Sequence, residues 1–173
     1  MEQREGAVRE IIRTETTIDA FQFQGTEMPP ERLNRIRKAL KTLHTLELMA
    51  QNIYKFQITG ERTETNRQLI AAMSNEMTHY QDFQEILYEY GWKPDKFRWM
   101  YWIVGFCFGF FSRILGRKAM LKTAVWVETL AVKHYGEFLR DIEWTDRDRA
   151  VVEKNLHDEE GHVRRWTALL RAL

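Results

Sequence analysis

The stretches Asn-Glu-Met-Thr-His at residues 75–79 and Asp-Glu-Glu-Gly-His at residues 158–162 decide the fold of this chain. In each stretch a histidine follows a glutamate by three positions, which places both side chains on one face of a helix. Glu76 and Glu159 stand in stripes whose other members are apolar and recur at three-to-four-residue steps. We therefore expect two helices that carry a carboxylate and an imidazole toward the protein core.

Two more glutamates, Glu47 and Glu128, interrupt apolar helical stripes in the same way. An unpaired ionised carboxylate in a dry core costs several kcal/mol, so four of them in one core need a positive partner. The stripes contain no lysine and no arginine. A pair of metal ions is therefore the natural counter-charge.

The pattern of one glutamate on each of two helices and Glu-x-x-His on each of two others is that of ferritin-like di-iron bundles. The chain has only three prolines and nine glycines, and no stretch alternates with the period of a strand. We predict an all-α, antiparallel, ferritin-like four-helix bundle over residues 29–173, with helix A at 31–60, helix B from Thr63 or Thr65 to Gly91, helix C at 121–142 and helix D from Thr145. The predicted metal ligands are Glu47, Glu76, His79, Glu128, Glu159 and His162. Oxygen and imidazole ligands favour two iron ions, although ligand type does not separate iron from manganese.

Polar residues next to these ligands have two readings each. Asn75 and Asp158 each precede a ligand glutamate, and they either orient the histidines of neighbouring helices or are ordinary polar residues at a helix flank. His44 and His134 either line the mouth of the site or are satisfied interior histidines. The glutamates that lie off the stripes are expected to face water; they are Glu85, Glu89, Glu137, Glu153 and Glu160.

The connection between helices B and C is a long, partly helical apolar crossover. Its thirteen-residue run from Trp99 to Phe111 carries no charge, and it is too short to span a bilayer, which needs about 20 residues. Seven basic residues and one acidic residue occur between positions 93 and 122, a pattern typical of an interfacial membrane anchor. The predicted membrane-contacting side chains are Trp99, Trp102, Phe106 and Phe110. The alternative is that the run packs against the bundle or in a homodimer, because Gly105 and Gly109 permit close helix contact.

Composition narrows the class of protein further. The net charge of +1 argues against a nucleic-acid partner. A single cysteine, Cys107, excludes a disulfide framework and favours a reducing compartment. Residues 1–28 form a polar leader or an extra helix without the features of a signal peptide. We expect a cytoplasmic protein, peripheral on the cytoplasmic face of a bacterial-type inner membrane.

Over residues 36–170 the chain resembles the demethoxyubiquinone hydroxylase family. The resemblance rests on Leu-His-Thr-Leu-Glu ending at Glu47, followed by Ile53-Tyr54, and on the Asn-Glu-Met-Thr-His stretch. Further on it rests on the aromatic crossover leading into Leu-Gly-Arg-Lys-Ala-Met at 115–120, on Val-Glu at 127–128 before His134-Tyr135, and on the Asp-Glu-Glu-Gly-His stretch.

The resemblance implies a di-iron monooxygenase that hydroxylates a membrane quinone ring with O₂. It also implies that Glu76 and Glu159 bridge the two ions and that the catalytic pair His134 and Tyr135 lies close to the substrate or redox path. No flavin, nicotinamide or iron–sulfur motif accompanies the bundle, so the electron donor is external. Where the family has Asp-His-Ala-Gly-Glu at its first ligand, residues 43–47 read Leu-His-Thr-Leu-Glu. Larger side chains next to the site are expected to reshape the substrate pocket.

Two other classes of function remain to be separated from this one. A ferritin-like or rubrerythrin-like protein would bind iron or scavenge peroxide, although one cysteine cannot build the four-cysteine site usual in rubrerythrins. A metal-free helical adaptor would leave four inward glutamates unexplained.

Overall fold

The computed structural model describes residues 17–173, and in that range the chain forms five α-helices and no strand. Their bounds are α1 Pro30–Gln57, α2 Glu64–Glu89, α3 Arg98–Ile114, α4 Arg117–Asp141 and α5 Asp146–Arg171. The all-α prediction is confirmed, and the crossover is helical over most of its length as α3. The predicted leader falls largely outside the described residues; its last part, residues 17–28, contains a short 3-10 turn at Ile18–Ala20.

Side-chain caps set the start of two helices. The Thr63 hydroxyl accepts a hydrogen bond of 3.2 Å from the backbone N–H of Asn66, and Thr145 accepts one of 3.1 Å from Asp148. Such caps satisfy backbone donors that have no partner in the first helical turn. Thr63 is therefore the cap of α2, and the predicted start of helix D is confirmed.

Two apolar clusters make up the core, and they fix the direction of each helix. The first cluster includes buried residues of α1 between positions 36 and 43 and of α2 between positions 83 and 87, with Ala131 and Tyr135 of α4 and Val152 of α5. The second cluster includes Met49–Tyr54 of α1, Leu69–Ala72 of α2, Met120–Val127 of α4 and Trp166 of α5. Thus α1 and α5 run from the first cluster to the second, whereas α2 and α4 run the opposite way. The glutamates and histidines of the predicted site fall between the two clusters.

Helix α3 packs along α1 through its two glycines. A Cβ atom at Gly105 would lie 2.5 Å from the carbonyl oxygen of Met49, and one at Gly109 would lie 2.5 Å from that of Ile53. Only residues without a side chain allow the two backbones to approach this closely. The predicted close helix contact therefore occurs, and it is with α1.

Much of the remaining surface of α3 is apolar and exposed. Trp99 is 57% exposed, Phe111 58% and Ile114 65%. Trp102 and Phe110 are also exposed, whereas Phe106 is half-buried. We call the side chains of Trp99, Trp102, Phe110, Phe111 and Ile114 the aromatic face. Within residues 17–173, no helix combines the length and the apolar character needed to cross a membrane.

Glu89, expected from the sequence to face water, is buried at 3% exposure, so that prediction is wrong. Its carboxylate accepts two hydrogen bonds from Arg147 Nη1, at 2.8 and 2.7 Å. It also accepts one of 3.0 Å from the backbone N–H of Gln22. The charge is buried because a guanidinium and a backbone amide satisfy it.

Candidate metal centre

Six side chains converge between the two apolar clusters. Helix α1 contributes Glu47, α2 contributes Glu76 and His79, α4 contributes Glu128, and α5 contributes Glu159 and His162. Each of the six is at most 1% exposed. The helical repeat points each of the six side chains inward. The apolar clusters on either side exclude water from the layer that these six side chains form.

The six residues form two overlapping groups that share two carboxylates. Glu47 and His79 belong to one group, Glu128 and His162 belong to the other, and Glu76 and Glu159 belong to both. In each group the potential ligand atoms lie within 4.8 Å of one another. Two cations placed in these groups would be bridged by the two shared carboxylates.

Both histidines point Nδ1 at the shared carboxylates. His79 Nδ1 lies 2.9 Å from Glu159 Oε1 and 3.7 Å from Glu76 Oε2. His162 Nδ1 lies 3.1 Å from Glu76 Oε1 and 3.6 Å from Glu159 Oε2. Each shared carboxylate therefore turns one oxygen toward each imidazole.

The terminal carboxylates complete the two groups. Glu47 Oε2 lies 3.8 Å from His79 Nδ1, and Glu128 Oε1 lies 3.3 Å from His162 Nδ1. Each group therefore offers one imidazole nitrogen, one terminal carboxylate and one oxygen from each shared carboxylate.

Buried atoms without hydrogen-bond partners concentrate in this layer. Within the described part of the chain, both oxygens of Glu76 and of Glu159, one oxygen of Glu128 and Nδ1 of both histidines make no hydrogen bond of acceptable geometry. Leaving so many buried acceptors unsatisfied is costly. Two divalent cations would satisfy these atoms together, and a set of oxygens with one imidazole per ion suits iron or manganese.

The pKa values in the centre reflect the same excess of negative charge. Burial raises the pKa of Glu47 well above its ordinary value and raises that of Glu128 to about 8. Burial would lower the pKa of His162, but the carboxylates of Glu128, Glu159 and Glu76 within 3.6 Å of its Nδ1 raise it to about 12. Protonation of these groups offsets part of the buried negative charge, and a cation bound here would displace protons.

Polar residues outside the centre contact the other ring nitrogen of each histidine. Asp158 Oδ2, on α5, lies 3.3 Å from His79 Nε2, on α2. Asn75 Nδ2, on α2, lies 3.1 Å from His162 Nε2, on α5. A histidine that binds metal through Nδ1 donates its Nε2–H to an outer acceptor, which fixes the orientation of the ring. The Asp158 carboxylate is such an acceptor, and the Asn75 amide becomes one when its oxygen faces the ring.

Two tyrosines hold the terminal carboxylates from opposite sides. The Tyr135 hydroxyl, on α4, donates a 2.5 Å hydrogen bond to Glu47 on α1. The Tyr54 hydroxyl, on α1, donates to Glu128 on α4. Tyr54 was named from the sequence among the residues that carry the family resemblance, without a role at the site. The signal available was that each tyrosine follows a terminal glutamate by seven residues, two helical turns along the same face.

The structure separates the predicted catalytic pair. Tyr135 contacts a candidate ligand, but the His134 side chain is 31% exposed and its Nδ1 lies 3.6 Å from Glu137 on its own helix. His44 is fully buried and stacks on Tyr80 with ring centroids 4.1 Å apart. Burial lowers the pKa of His44 to about 4.

Three relatives of known name are similar to this chain. A mitochondrial NADPH-dependent 3-demethoxyubiquinone 3-hydroxylase of Dictyostelium discoideum is 28% identical over 136 residues, which cover 77% of this chain and 61% of the relative. A 3-demethoxyubiquinol 3-hydroxylase of Nitrosospira multiformis is 26% identical over 146 residues, covering 80% and 70%. The protein of that name in Legionella pneumophila strain Paris is 23% identical over 138 residues, covering 79% and 65%.

The matched region therefore spans 61% of the length of the Dictyostelium discoideum relative and 65% of that of the Legionella pneumophila relative. The family described as ubiquinone biosynthesis protein COQ7 matches residues 34–171, a range that contains all six candidate ligands and all five helices except the first residues of α1. Since that range covers most of the sequence, the chain belongs to the COQ7 family of ubiquinone biosynthesis proteins.

Proposed function

We propose that this protein is a di-iron monooxygenase that hydroxylates the ring of a demethoxyubiquinone-type membrane quinone with O₂ and an external reductant. The single observation that carries the proposal is the pair of overlapping ligand groups that share Glu76 and Glu159. The hydroxylase names of the relatives support the reaction, and the NADPH dependence in one of those names supports a nicotinamide as the source of electrons. The proposed frame is a ferritin-like four-helix bundle over residues 29–173, made of α1, α2, α4 and α5, with the leader at residues 1–28.

In this proposal the six candidate ligands hold two iron ions. Glu76 and Glu159, which belong to both groups, would be shared by the two ions, His79 and Glu47 would hold one ion, and His162 and Glu128 would hold the other. When bound, the iron pair supplies the reductive activation of O₂. The ligand types also accommodate manganese.

The chain's other residues orient the centre and keep it dry. Tyr54 and Tyr135 fix the rotamers of the terminal carboxylates, while Asn75 and Asp158 fix the imidazole rings. The apolar clusters above and below exclude water, which strengthens the electrostatic interactions within the centre. His134 lies outside the centre, so any part that it has in the reaction is at the surface.

The aromatic face of α3 is the proposed route to the quinone. A ring with a long isoprenoid tail resides in the bilayer, and a helix with exposed Trp and Phe side chains and basic flanks suits the membrane interface. The backbone of α3 contacts α1, which carries Glu47, so a bound membrane lies one helix away from the centre. We propose a peripheral position on the cytoplasmic face of a bacterial-type inner membrane, with or without a second copy of the chain.

The metal centre is tested by elemental analysis of protein expressed with iron. About two irons per chain are expected for the natural sequence, and Glu159→Gln should lose most of the metal because this residue belongs to both groups. The exposed neighbour provides the control, since Glu160→Gln removes the same charge without touching the centre. Equal iron contents in the two variants would refute the proposed ligand set.

The reaction is tested with iron-loaded protein, quinol-containing liposomes, O₂ and a chemical reductant. Hydroxylated quinol, detected by mass gain and by incorporation of label from ¹⁸O₂, is the expected product. Consumption of peroxide with no change in the quinol would instead support the peroxide-scavenging alternative.

Membrane binding is tested by co-sedimentation with liposomes. Phe111→Glu places a charge on the aromatic face and is expected to weaken binding at least about tenfold. Ile70→Glu is the matched control, because Ile70 is an exposed apolar residue of α2, which makes no contact with α3 within residues 17–173. Unchanged sedimentation of Phe111→Glu would exclude this face as the anchor.

A further inference from the structure

The two halves of the metal centre correspond residue for residue except at one position. Helices α1 and α4 each contribute a terminal glutamate and a tyrosine seven residues later. Helices α2 and α5 each contribute a bridging glutamate and a histidine. The residue before the bridging glutamate is asparagine on α2 and aspartate on α5. His79 is therefore backed by a carboxylate, and His162 by a neutral amide.

This difference changes the hydrogen bond that supports each imidazole ring. An ionised carboxylate only accepts hydrogen bonds, so Asp158 can accept one from His79 Nε2–H while Nδ1 faces the shared carboxylates. An amide carries one donor group and one acceptor atom, and the Asn75 group nearest His162 Nε2 is the NH₂. Asn75 therefore accepts from His162 Nε2–H only when the amide turns its oxygen toward the ring.

The same difference alters the strength of the ligand. An imidazole whose N–H is donated to a carboxylate is a stronger base than one whose N–H is donated to an amide, because the carboxylate takes up part of the proton's charge. Asp158 also adds one negative charge near the His79 group that the His162 group lacks. Both effects favour a cation at the group of His79 and Glu47.

We propose that the two metal positions are inequivalent and fill in order, with the His79 group taking the first divalent cation and the His162 group the second. This inference rests on the proposed di-metal centre, since it assigns an order of binding to the same ligands. Asp158 and Asn75 act in it as positioning residues, because each works through a histidine and neither contacts the cation.

The test is a titration of the metal-free full-length protein with Co²⁺ under anaerobic conditions, followed by the visible absorption of the bound ion and by calorimetry. Two binding steps of different affinity are expected for the natural sequence. Asp158→Asn should weaken the tighter step about 10- to 100-fold, the range found when outer partners of ligand histidines are changed. Asn75→Asp should tighten the weaker step, and in both variants the two affinities should converge.

The most decisive variant exchanges the two residues by combining Asp158→Asn with Asn75→Asp. It keeps the charge and composition of the natural protein and should restore two separated steps, now with the His162 group filled first. Asp82→Asn is the matched control, since Asp82 is also an acidic residue on the α2–α5 side but pairs with Lys154 rather than with a ligand. That control should leave both steps unchanged.

The outcomes separate this inference from the proposed function. Two bound Co²⁺ ions with affinities that Asp158→Asn lowers equally, or not at all, would overturn the order of filling and leave the metal centre standing. Failure of the natural protein to bind two Co²⁺ ions would overturn the centre itself and the inference with it. Circular dichroism of each variant distinguishes the loss of a Co²⁺-binding step from the loss of the folded structure.

Discussion

The hydrogen bond between Tyr135 and Glu47 is the buried contact whose contribution to the free energy of unfolding is easiest to isolate. Tyr135→Phe removes only the hydroxyl that donates to Glu47, and a buried acceptor left without its donor costs about 1–3 kcal/mol. We expect the free energy of unfolding in urea to fall by that amount. Tyr88→Phe, which changes a half-exposed tyrosine on α2, should change it by less than about 0.5 kcal/mol. Equal effects of the two substitutions would mean that the phenol of Tyr135 does not support Glu47.

His44 gives a prediction about acid stability. Burial, together with the charge of Arg98, lowers its pKa from 6.5 to about 4, against a smaller opposing effect of Gln84. The unfolded chain thus binds a proton more readily, and the stability due to this residue is complete above about pH 6.5 and is lost as the pH falls toward 4. Between pH 8 and pH 5 the loss is about 2 kcal/mol. Urea unfolding measured across that range reports it.

The control for this prediction is His44→Phe, which keeps a ring to stack on Tyr80 and cannot titrate. Its free energy of unfolding should fall less steeply between pH 8 and pH 5 than that of the natural protein. Parallel pH profiles would show that the pKa of His44 is the same in the folded and the unfolded chain.

At this scale, periodicity was sufficient to predict the six residues that meet in the centre, because a polar residue in an apolar stripe is visible in the sequence itself. The seven-residue spacing places each tyrosine on the same face as the glutamate of its own helix. The phenol contacts nevertheless join α1 to α4, and no local pattern states which helices adjoin. Glu89 was misplaced for the same reason. Its partner Arg147 lies 58 residues further along the chain, and only the fold brings the two together.

Among the elements, α3 depends on its two glycines. Gly105→Ala would place a Cβ atom 2.5 Å from the carbonyl oxygen of Met49 and 2.9 Å from Asn52 Cβ, so the helix must move away from α1. We expect a destabilisation of about 1–3 kcal/mol in urea unfolding. Gly136→Ala, inside α4 with nothing within 4 Å of the new atom, should instead stabilise by about 0.5–1 kcal/mol. The same sign for both substitutions would contradict the close packing of α3 on α1.

The sequence of α3 allowed two readings, a membrane anchor or a helix packed on the bundle, and the helix has a face suited to each. Gly105 and Gly109 lie against α1, while the aromatic face is exposed, with Trp102 at its edge against Phe56 of α1. Periodicity could not separate the readings because nearly every position from Trp99 to Phe111 is apolar. An unbroken apolar run shows no contrast between its faces, so the side that packs becomes known only from the contacts.

For the whole molecule, metal and folding are expected to be coupled. Four buried carboxylates oppose folding when no cation is present, and a ligand that binds only the folded state adds about 2.7 kcal/mol at a hundred times its dissociation constant. Removing iron with a chelator should therefore lower the melting temperature, and adding iron back should restore it. The melting temperature of Glu159→Gln should not depend on iron. If the melting temperature of the natural protein is equally insensitive to iron, the centre binds no metal in the folded chain.

Each of α1 and α4 donates a tyrosine hydrogen bond to the glutamate of the other helix. This symmetry indicates the smallest unit that could build such a centre. Helices α1 and α2 together carry one unshared glutamate, one tyrosine, one shared glutamate and one histidine of the two ligand groups, and α4 with α5 carry the same set in the same order. A hairpin of two helices that paired with a copy of itself would supply every ligand and every phenol. The present chain corresponds to two such hairpins in one polypeptide, connected by α3. Covalent linkage of the halves is what lets Asn75 and Asp158 differ, because a self-paired hairpin would have the same residue at both places.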